Sequence, residues 1–344
     1  MRAGLITGKG LVELLEFDDP IPTDDGVVVD VAFCGVCGTD VHAYQSGNPY
    51  TPAICGHEWC GTVSAAGRDV RSITEGDRVV VAAPPACGIC SACLAGHAQR
   101  CLTAFLVLVG RNAGAPKHGG FAAQIAVAAS RVVPTNAALT DEQAAQVEPA
   151  TVAFHAVRHS RLRLGDTAVV QGAGPIGLST LQFVRAAGAG HLIVIEPNPQ
   201  RRELAAALGA HETVEPGAMA VELVAERTHG LGADVVFECV GRAPAIQTAV
   251  DLARRGGSMC MIGLPDENAS INPSSWLIKE ITVTSSLAYF REEFEMAMGM
   301  IADGRVNVDR LHTSTASLDE LDGVLADLAG GRSTQTKVLI DPRR

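Results

Sequence analysis

The sequence predicts a mixed α/β protein of two domains: a small all-β, barrel-like domain followed by a doubly wound parallel sheet. Three observations carry this expectation. The 344 residues exceed the length at which one hydrophobic core usually keeps growing. Over roughly the first 140 residues, short β-type runs are punctuated by Gly, Pro and Asp. Beyond residue 165, apolar β-branched runs alternate with helical stretches, the signature of a parallel sheet covered on both faces.

In chain order, the β-type runs of the first part are VVVDVAF, GTVSAAG, DRVVVAA and FAAQIAVAASRVV. At TDEQAAQVEPATVAFHAVRHS the texture turns helical, with a Thr cap and acids in the first turn, and Pro149 is expected to bend or interrupt the helix. TAVVQ, HLIVIE, ADVVFECV, SMCMIG and ITVTSS read as buried parallel strands. PIGLSTLQFVRAAG, PQRRELAAALG and PAIQTAVDLARRG read as helices lying between several of them. Two further amphipathic helices, FREEFEMAMGMIADG and SLDELDGVLADLAGG, precede a last strand, TKVLID. The residues leave open whether this tail extends the parallel sheet or returns to the first domain.

Composition narrows the function. Apolar residues are 47% and charged residues 19%, enough to bury real cores. Acidic side chains outnumber basic ones, for a net charge of -11, and there is no basic block, so neither nucleic acid nor an anionic membrane is an expected partner. The N-terminal stretch has no continuous apolar core of a signal peptide, and no run approaches the roughly 18 apolar residues of a membrane span. The expectation is a cytoplasmic protein.

Four of the ten cysteines fall in CGICSACLAGHAQRC, at Cys87, Cys90, Cys93 and Cys101. A disulfide knot, a redox pair and a metal lobe compete for this pattern. A reducing cytosol disfavours the knot, and a redox pair needs a single CxxC opening a helix after a strand, whereas this cluster follows two prolines and a Gly-containing loop. Four thiolates on one short loop can close a tetrahedron around Zn2+ and leave no position for substrate. The spacing thus predicts a structural zinc lobe over residues 84–104.

The run TAVVQGAGPIG places Gly172, Gly174, Pro175, Ile176 and Gly177 between a predicted strand and a predicted helix. In a GxGxxG turn the first glycine permits the bend, the second admits a pyrophosphate, and the third lets helix approach strand. Glu196, at the end of the next predicted strand, suits the two hydroxyls of an unphosphorylated ribose, which favours NAD(H) over NADP(H). Arg201 and Arg202 nearby can be ordinary helix charges or can reach a phosphate.

CGVCGTDVHAY, PAICGHEWCG and QVEP offer further metal-type residues. Each has an ordinary explanation alone, as core cysteine, structural histidine or helix-start acid. Taken in order with the cysteine lobe and GAGPIG, the set resembles the zinc-dependent medium-chain alcohol dehydrogenases, in the branch of polyol and threonine dehydrogenases, over essentially the whole chain. The resemblance implies a GroES-like catalytic domain at 1–147, a Rossmann dinucleotide-binding domain at 148–286, and a C-terminal part at 287–344 returning to the first.

It also implies roles. Cys37, His57 and Glu148 match the catalytic zinc ligands, with Glu58 an adjacent acid that approaches or ligates the metal in some states, and Asp40 the carboxylate that orients the ligating histidine. Thr39 and His42 match a proton relay. Val240, Gly241, Gly263, Leu264, Ser286 and Leu287 match cofactor contacts. Cys34, Cys55, Cys60, Cys239 and Cys260 read as core residues. Tyr44, Trp59 and Phe105 are guesses at the substrate pocket.

The implied activity is NAD-dependent oxidation of a secondary alcohol on a small polyol, sugar or cyclitol, or reduction of the ketone, with one catalytic and one structural zinc, in a homodimer or homotetramer. An amino alcohol of threonine or aminocyclitol type is the alternative substrate, and a non-catalytic NAD-binding zinc protein the remote one.

Overall fold

The structure is a computed structural model describing residues 1–47, 52–265 and 267–344. The chain divides into two compact units, one of residues 1–148, 290–302 and 312–344, the other of residues 149–289 and 303–311. The short segment 303–311 therefore belongs with the second unit, a detail that a single returning C-terminal piece does not contain.

The first unit opens with an antiparallel pair, β1 (Arg2–Gly8) and β2 (Leu11–Glu16), which the sequence reading did not mark. Then come β3 (Gly26–Gly35), helix α1 (Gly38–Ser46), β4 (Glu58–Ala66) and β5 (Arg78–Val81). The cysteine loop carries α2 (Ser91–Leu94) and α3 (Leu102–Leu108), and β6 (Gln124–Ala128) and β7 (Val132–Pro134) follow. β3 is almost continuously apolar because it pairs with both β4 and β6 and sits inside the sheet.

Two helices then replace the single one expected around Pro149. α4 (Asp141–Ala144) is capped by Thr140, whose hydroxyl accepts from the Gln143 amide while the Gln143 side chain accepts from the Thr140 amide. α5 (Val147–His159) begins afresh, with Pro149 in its first turn, where a missing amide hydrogen costs nothing.

In the second unit the strands β8 (Thr167–Gln171), β9 (His191–Ile195), β10 (Glu212–Val214), β11 (Ala233–Glu238), β12 (Ala253–Met261) and β13 (Thr282–Ser285) form one parallel sheet in the order β10-β9-β8-β11-β12-β13. The order reverses between β8 and β11, which puts the ligand crevice of such sheets at the carboxyl ends of those two strands. Around it are α6 (Pro175–Ala186), α7 (Pro199–Ala207), α8 (Ala218–Arg227), α9 (Ala243–Leu252) and α10 (Pro273–Lys279). The helix expected to run to residue 256 stops at Leu252, because Ala253 already pairs with Ala233 across the sheet.

The tail supplies α11 (Arg291–Ala302), β14 (His312–Ser317), α12 (Leu321–Ala329) and β15 (Lys337–Asp341). β15 pairs antiparallel with β3 and parallel with β14, so the seven-stranded sheet of the first unit is completed by residues some 300 positions downstream of its centre. No helix among the described residues is long and apolar enough to cross a membrane.

Candidate active site

Two strand registers build the site of the first unit. β3 pairs with β4 so that Gly35 faces Glu58, and with β15 so that Gly35 faces Leu339. Antiparallel pairing then carries Lys337, two residues before Leu339, alongside Cys37, two residues beyond Gly35. Cys37 is the residue immediately before α1. The ligand atoms of Cys37, His57 and Glu58 all lie within 4.8 Å of one another. Glu148, at the second position of α5, is buried and near enough for its negative charge to act on both His57 and Lys337.

The histidine is oriented by its own loop. Nδ1 of His57 is 2.7 Å from the Ile54 carbonyl, which makes Nδ1–H the donor and leaves Nε2 as the nitrogen with a lone pair. Burial works against a charge on this ring, but Cys37, Glu148 and Asp40 outweigh it, and its proton affinity stands well above that of an ordinary histidine. A pocket that stabilises a cation at that nitrogen suits a metal ion equally.

Asp40 does not bond the His57 ring, which corrects the role expected of it. Its Oδ2 accepts from the Cys37 amide at 2.8 Å and its Oδ1 from the Gly56 amide at 3.0 Å. It is completely buried, and it ties together the backbones of the two loops that carry the thiol and the imidazole.

Lys337 was missed in the sequence. It is 2% exposed, pairs with Glu58, and donates to the Val36 carbonyl at 2.9 Å. Burial disfavours its charge, but Glu58, Cys37 and Glu148 reverse that and hold its proton more tightly than in water. Its only sequence signal is a lone cation directly before the apolar run VLI of the final strand. Gly35 has no Cβ because one there would collide with the Glu58 carboxylate and crowd the Lys337 ammonium.

Thr39 Oγ1 lies 3.6 Å from the Cys37 sulfur, and His42 is half-buried on α1. The pocket guesses fare differently. Tyr44 is in the core with its hydroxyl donating to Asp322 on α12, and Trp59 is buried against Gly120. Phe105 is exposed on α3 of the cysteine loop.

That loop converges as a tetrad. Cys87, Cys90, Cys93 and Cys101 offer sulfurs within 4.8 Å of one another, with Cys90 3.5 Å from Cys93 and 3.9 Å from Cys101. A tetrahedron with Zn–S bonds of about 2.3 Å has S···S edges of about 3.8 Å, so the tetrad fits zinc. Amide hydrogens of Cys87 and Ala104 point at Cys101, and that of Cys90 at Cys87. The Thr103 hydroxyl and neighbouring amides bring Cys87 down to about 6, while burial and the adjacent thiols push Cys93 up to about 12. Such a cluster ionises completely only when a cation offsets the last charge.

The other five cysteines are buried or half-buried and inert; burial raises Cys55 and Cys60 to about 12 and Cys260 to about 11.

The glycine turn of the second unit sits at the β8–β11 reversal. Gly172 has φ +89°, and a Cβ on Gly177 would collide with the Gly172 carbonyl, so both are required by the fold. Gly174 is different. It caps α6 with φ -73°, and a Cβ there would meet nothing within 4 Å. The space it keeps clear lies before a helix N-terminus that carries unpaired amides, Pro175 and Ile176 forming its first turn. The residues therefore fit a dinucleotide.

Glu196 Oε2 accepts from the Ala173 amide at 2.7 Å and its Oε1 from the Asn198 amide at 2.9 Å, fixing the carboxylate beside the turn. Arg202 is committed to the carbonyls of Glu196 and Pro197 and to Glu215, whereas Arg201 lies in the first turn of α7 and its amide donates to the capping Asn198 side chain. Val240 and Gly241 follow β11, Gly263 and Leu264 follow β12, and Ser286 and Leu287 follow β13, all at the carboxyl edge of the sheet.

A cysteine-histidine-carboxylate centre in one unit and a glycine-turn nucleotide crevice in the other define a metal- and dinucleotide-dependent oxidoreductase architecture. Residues 23–137 match the model of the alcohol dehydrogenase GroES-like domain, and residues 175–303 that of the zinc-binding dehydrogenase. The chain is 31% identical to (R,R)-butanediol dehydrogenase of Bacillus subtilis, over 99% of this chain and 100% of that one, and 30% identical to sorbitol dehydrogenase of the same organism, over 100% and 98%. A chain from Sinorhizobium meliloti 1021 solved with NADP bound superposes with a TM-score of 0.88 at 32% identity, covering 99% of each. The chain belongs to the zinc-dependent medium-chain alcohol dehydrogenases.

Proposed function

We propose that this enzyme transfers hydride between NAD(H) and a secondary alcohol or ketone of a small polyol, sugar or cyclitol. The observation that carries the proposal is the convergence of Cys37, His57 and Glu58, with Glu148 beside them, from three distant parts of the chain. Its likeness to a sorbitol dehydrogenase and an (R,R)-butanediol dehydrogenase supports a substrate with neighbouring hydroxyls.

Cys37, His57 Nε2 and Glu148 are the proposed ligands of the catalytic zinc, and Glu58 is kept back from it by its pairing with Lys337. When bound, zinc supplies a Lewis acid that lowers the pKa of a coordinated alcohol. One thiolate and one carboxylate balance the ion's charge, and Lys337 balances Glu58, so the site as a whole favours the deprotonated substrate. Thr39, beside the Cys37 sulfur, would take the alcohol proton while handing its own hydroxyl proton on, through the nicotinamide ribose, to His42, which releases it to solvent. Cys87, Cys90, Cys93 and Cys101 hold a second, closed zinc that does no chemistry.

The proposed cofactor contacts are Gly172, Gly174, Pro175, Ile176 and Gly177 at the pyrophosphate, Glu196 and Arg201 at the adenosine, and Val240, Gly241, Gly263, Leu264, Ser286 and Leu287 at the nicotinamide half. NAD(H) is preferred because Glu196 repels a 2′-phosphate and Arg202 is already engaged by Glu196, Pro197 and Glu215. A homodimer or homotetramer is supported by the edge strand β13, which exposes Val283.

The test is reduction of NAD and of NADP across a panel of polyols, cyclitols and amino alcohols, before and after chelation. NADH formation on a polyol, abolished by the chelator, is expected. Turnover confined to amino alcohols would overturn the substrate class, and a chain that binds NADH yet oxidises no alcohol would overturn the activity.

A further inference from the structure

Glu238 is a fully buried carboxylate that the proposed chemistry leaves without a task. It ends β11, the strand bordering the topological reversal. Its Oε1 accepts from the amides of Val240 at 2.7 Å and Gly241 at 2.8 Å. Its backbone carbonyl accepts from the amides of Ile262 and Gly263, both at 2.9 Å. One residue thus fastens the turn after β11 to the turn after β12. The two turns are in backbone contact, since a Cβ on Gly241 would lie 2.7 Å from the Leu264 carbonyl oxygen.

The strand itself does not need this carboxylate, for β11 is already paired along its length with β8 and β12. Keeping it there is costly. Oε2 has no hydrogen-bond partner among the described residues, and burial pushes the carboxyl above its usual range. On the neighbouring strand Gln171 is its register partner, 4% exposed, and its Oε1 is unpartnered too. Oε2 itself lies against the turn after β12, where a Cβ on Gly263 would come within 3.0 Å of it.

We propose that Glu238 is a positioning residue for the nicotinamide half of the cofactor, clamping the turns at 240–241 and 262–264 in the shape that receives the ring. This rests on the assignment of those turns to the nicotinamide. It separates Glu238 from the glycine turn and Glu196, which address the adenosine and pyrophosphate.

The experiment compares binding of NADH with that of ADP-ribose, which lacks the nicotinamide, in wild type, E238D and E238Q. Aspartate is one methylene too short to reach both amides while Cα stays in the strand. E238D is expected to weaken NADH about tenfold with less than about a twofold change for ADP-ribose. Glutamine keeps the acceptor for both amides and removes the unpartnered carboxylate oxygen, so E238Q is expected within about threefold of wild type for both ligands. Equal weakening of both ligands by E238D, or no weakening of either, overturns the proposal.

Should E238D fail to fold, hydrogen exchange on the cofactor-free wild type decides. Amides of Val240 and Gly241 as protected as those of β11 sustain the clamp, and exchange at the rate of exposed loops refutes it. If wild type binds ADP-ribose and NADH equally, the assignment of these turns fails first and the proposal falls with it.

Discussion

A buried lysine is tolerated only where its charge is matched, and at Lys337 the match is Glu58 with the Val36 carbonyl. Lys337→Met would strand the Glu58 carboxylate in the core. We expect a loss of about 3–5 kcal/mol, read from the urea midpoint, and recovery of much of it in the double variant E58Q/K337M. A single variant as stable as wild type would mean that the pair is idle. At Asp40 the effect should fall on the metal. Asp40→Ala frees the Cys37 and Gly56 amides, and zinc affinity at that site should drop about 10- to 100-fold in a competition with a chelator, the cysteine lobe keeping its ion. Such residues show how far sequence reaches. Cys37, His57 and Glu58, which the structure brings together, were legible because their residue types advertise metal chemistry in a recognisable order, and Glu148 was named as a further ligand on the same pattern. Asp40 was legible as a participant but not in its bonding, which depends on where two amides point. Lys337 was illegible because only strand register brings it to the site.

Among the elements, the glycine turn gives the cleanest separation of folding from binding. Gly174→Ala meets open space at an ordinary φ, so stability should change by less than about 0.5 kcal/mol while dinucleotide affinity falls. Gly177→Ala drives a methyl group into the Gly172 carbonyl and should lower the melting temperature as well. If both variants kept wild-type NADH affinity, the turn would not be a binding element. The end of β11 should reveal itself by pH. Burial raises the Glu238 carboxyl, so its neutral form is the one the fold favours; the associated stability is fully present below the ordinary glutamate value and is lost as pH rises through the higher folded one. The stability of wild type relative to E238Q, which cannot ionise there, should therefore fall with rising pH in denaturant titrations; a constant difference would contradict the shift.

Five of the six parallel strands were readable one by one, since burial on both faces leaves continuous apolar runs, whereas β10, three residues long and only partly buried, was not. The hairpin of β1 and β2 was not, because its faces are mixed and part of what holds it, at Phe121, Ala122, Asp319 and Asp322, lies far along the chain. Nor was the end of α9, where pairing to β11 overrode the helical pattern of ARRG.

For the molecule as a whole, the account demands two metal ions of unlike character in one chain. The lobe has four sulfurs and no open position, whereas the other centre keeps one for substrate, so a chelator should abolish turnover while about half of the zinc is retained. Cys90→Ser should remove the lobe's ion and leave the other centre occupied in whatever fraction folds. The most direct measurement is an anomalous difference map at the zinc edge from crystals of the purified enzyme. The account predicts two peaks per chain, one enclosed by Cys87, Cys90, Cys93 and Cys101, the other about 2.3 Å from Cys37 Sγ and about 2.1 Å from His57 Nε2. A peak at the lobe alone, with Cys37 and His57 bare in active enzyme, would contradict it.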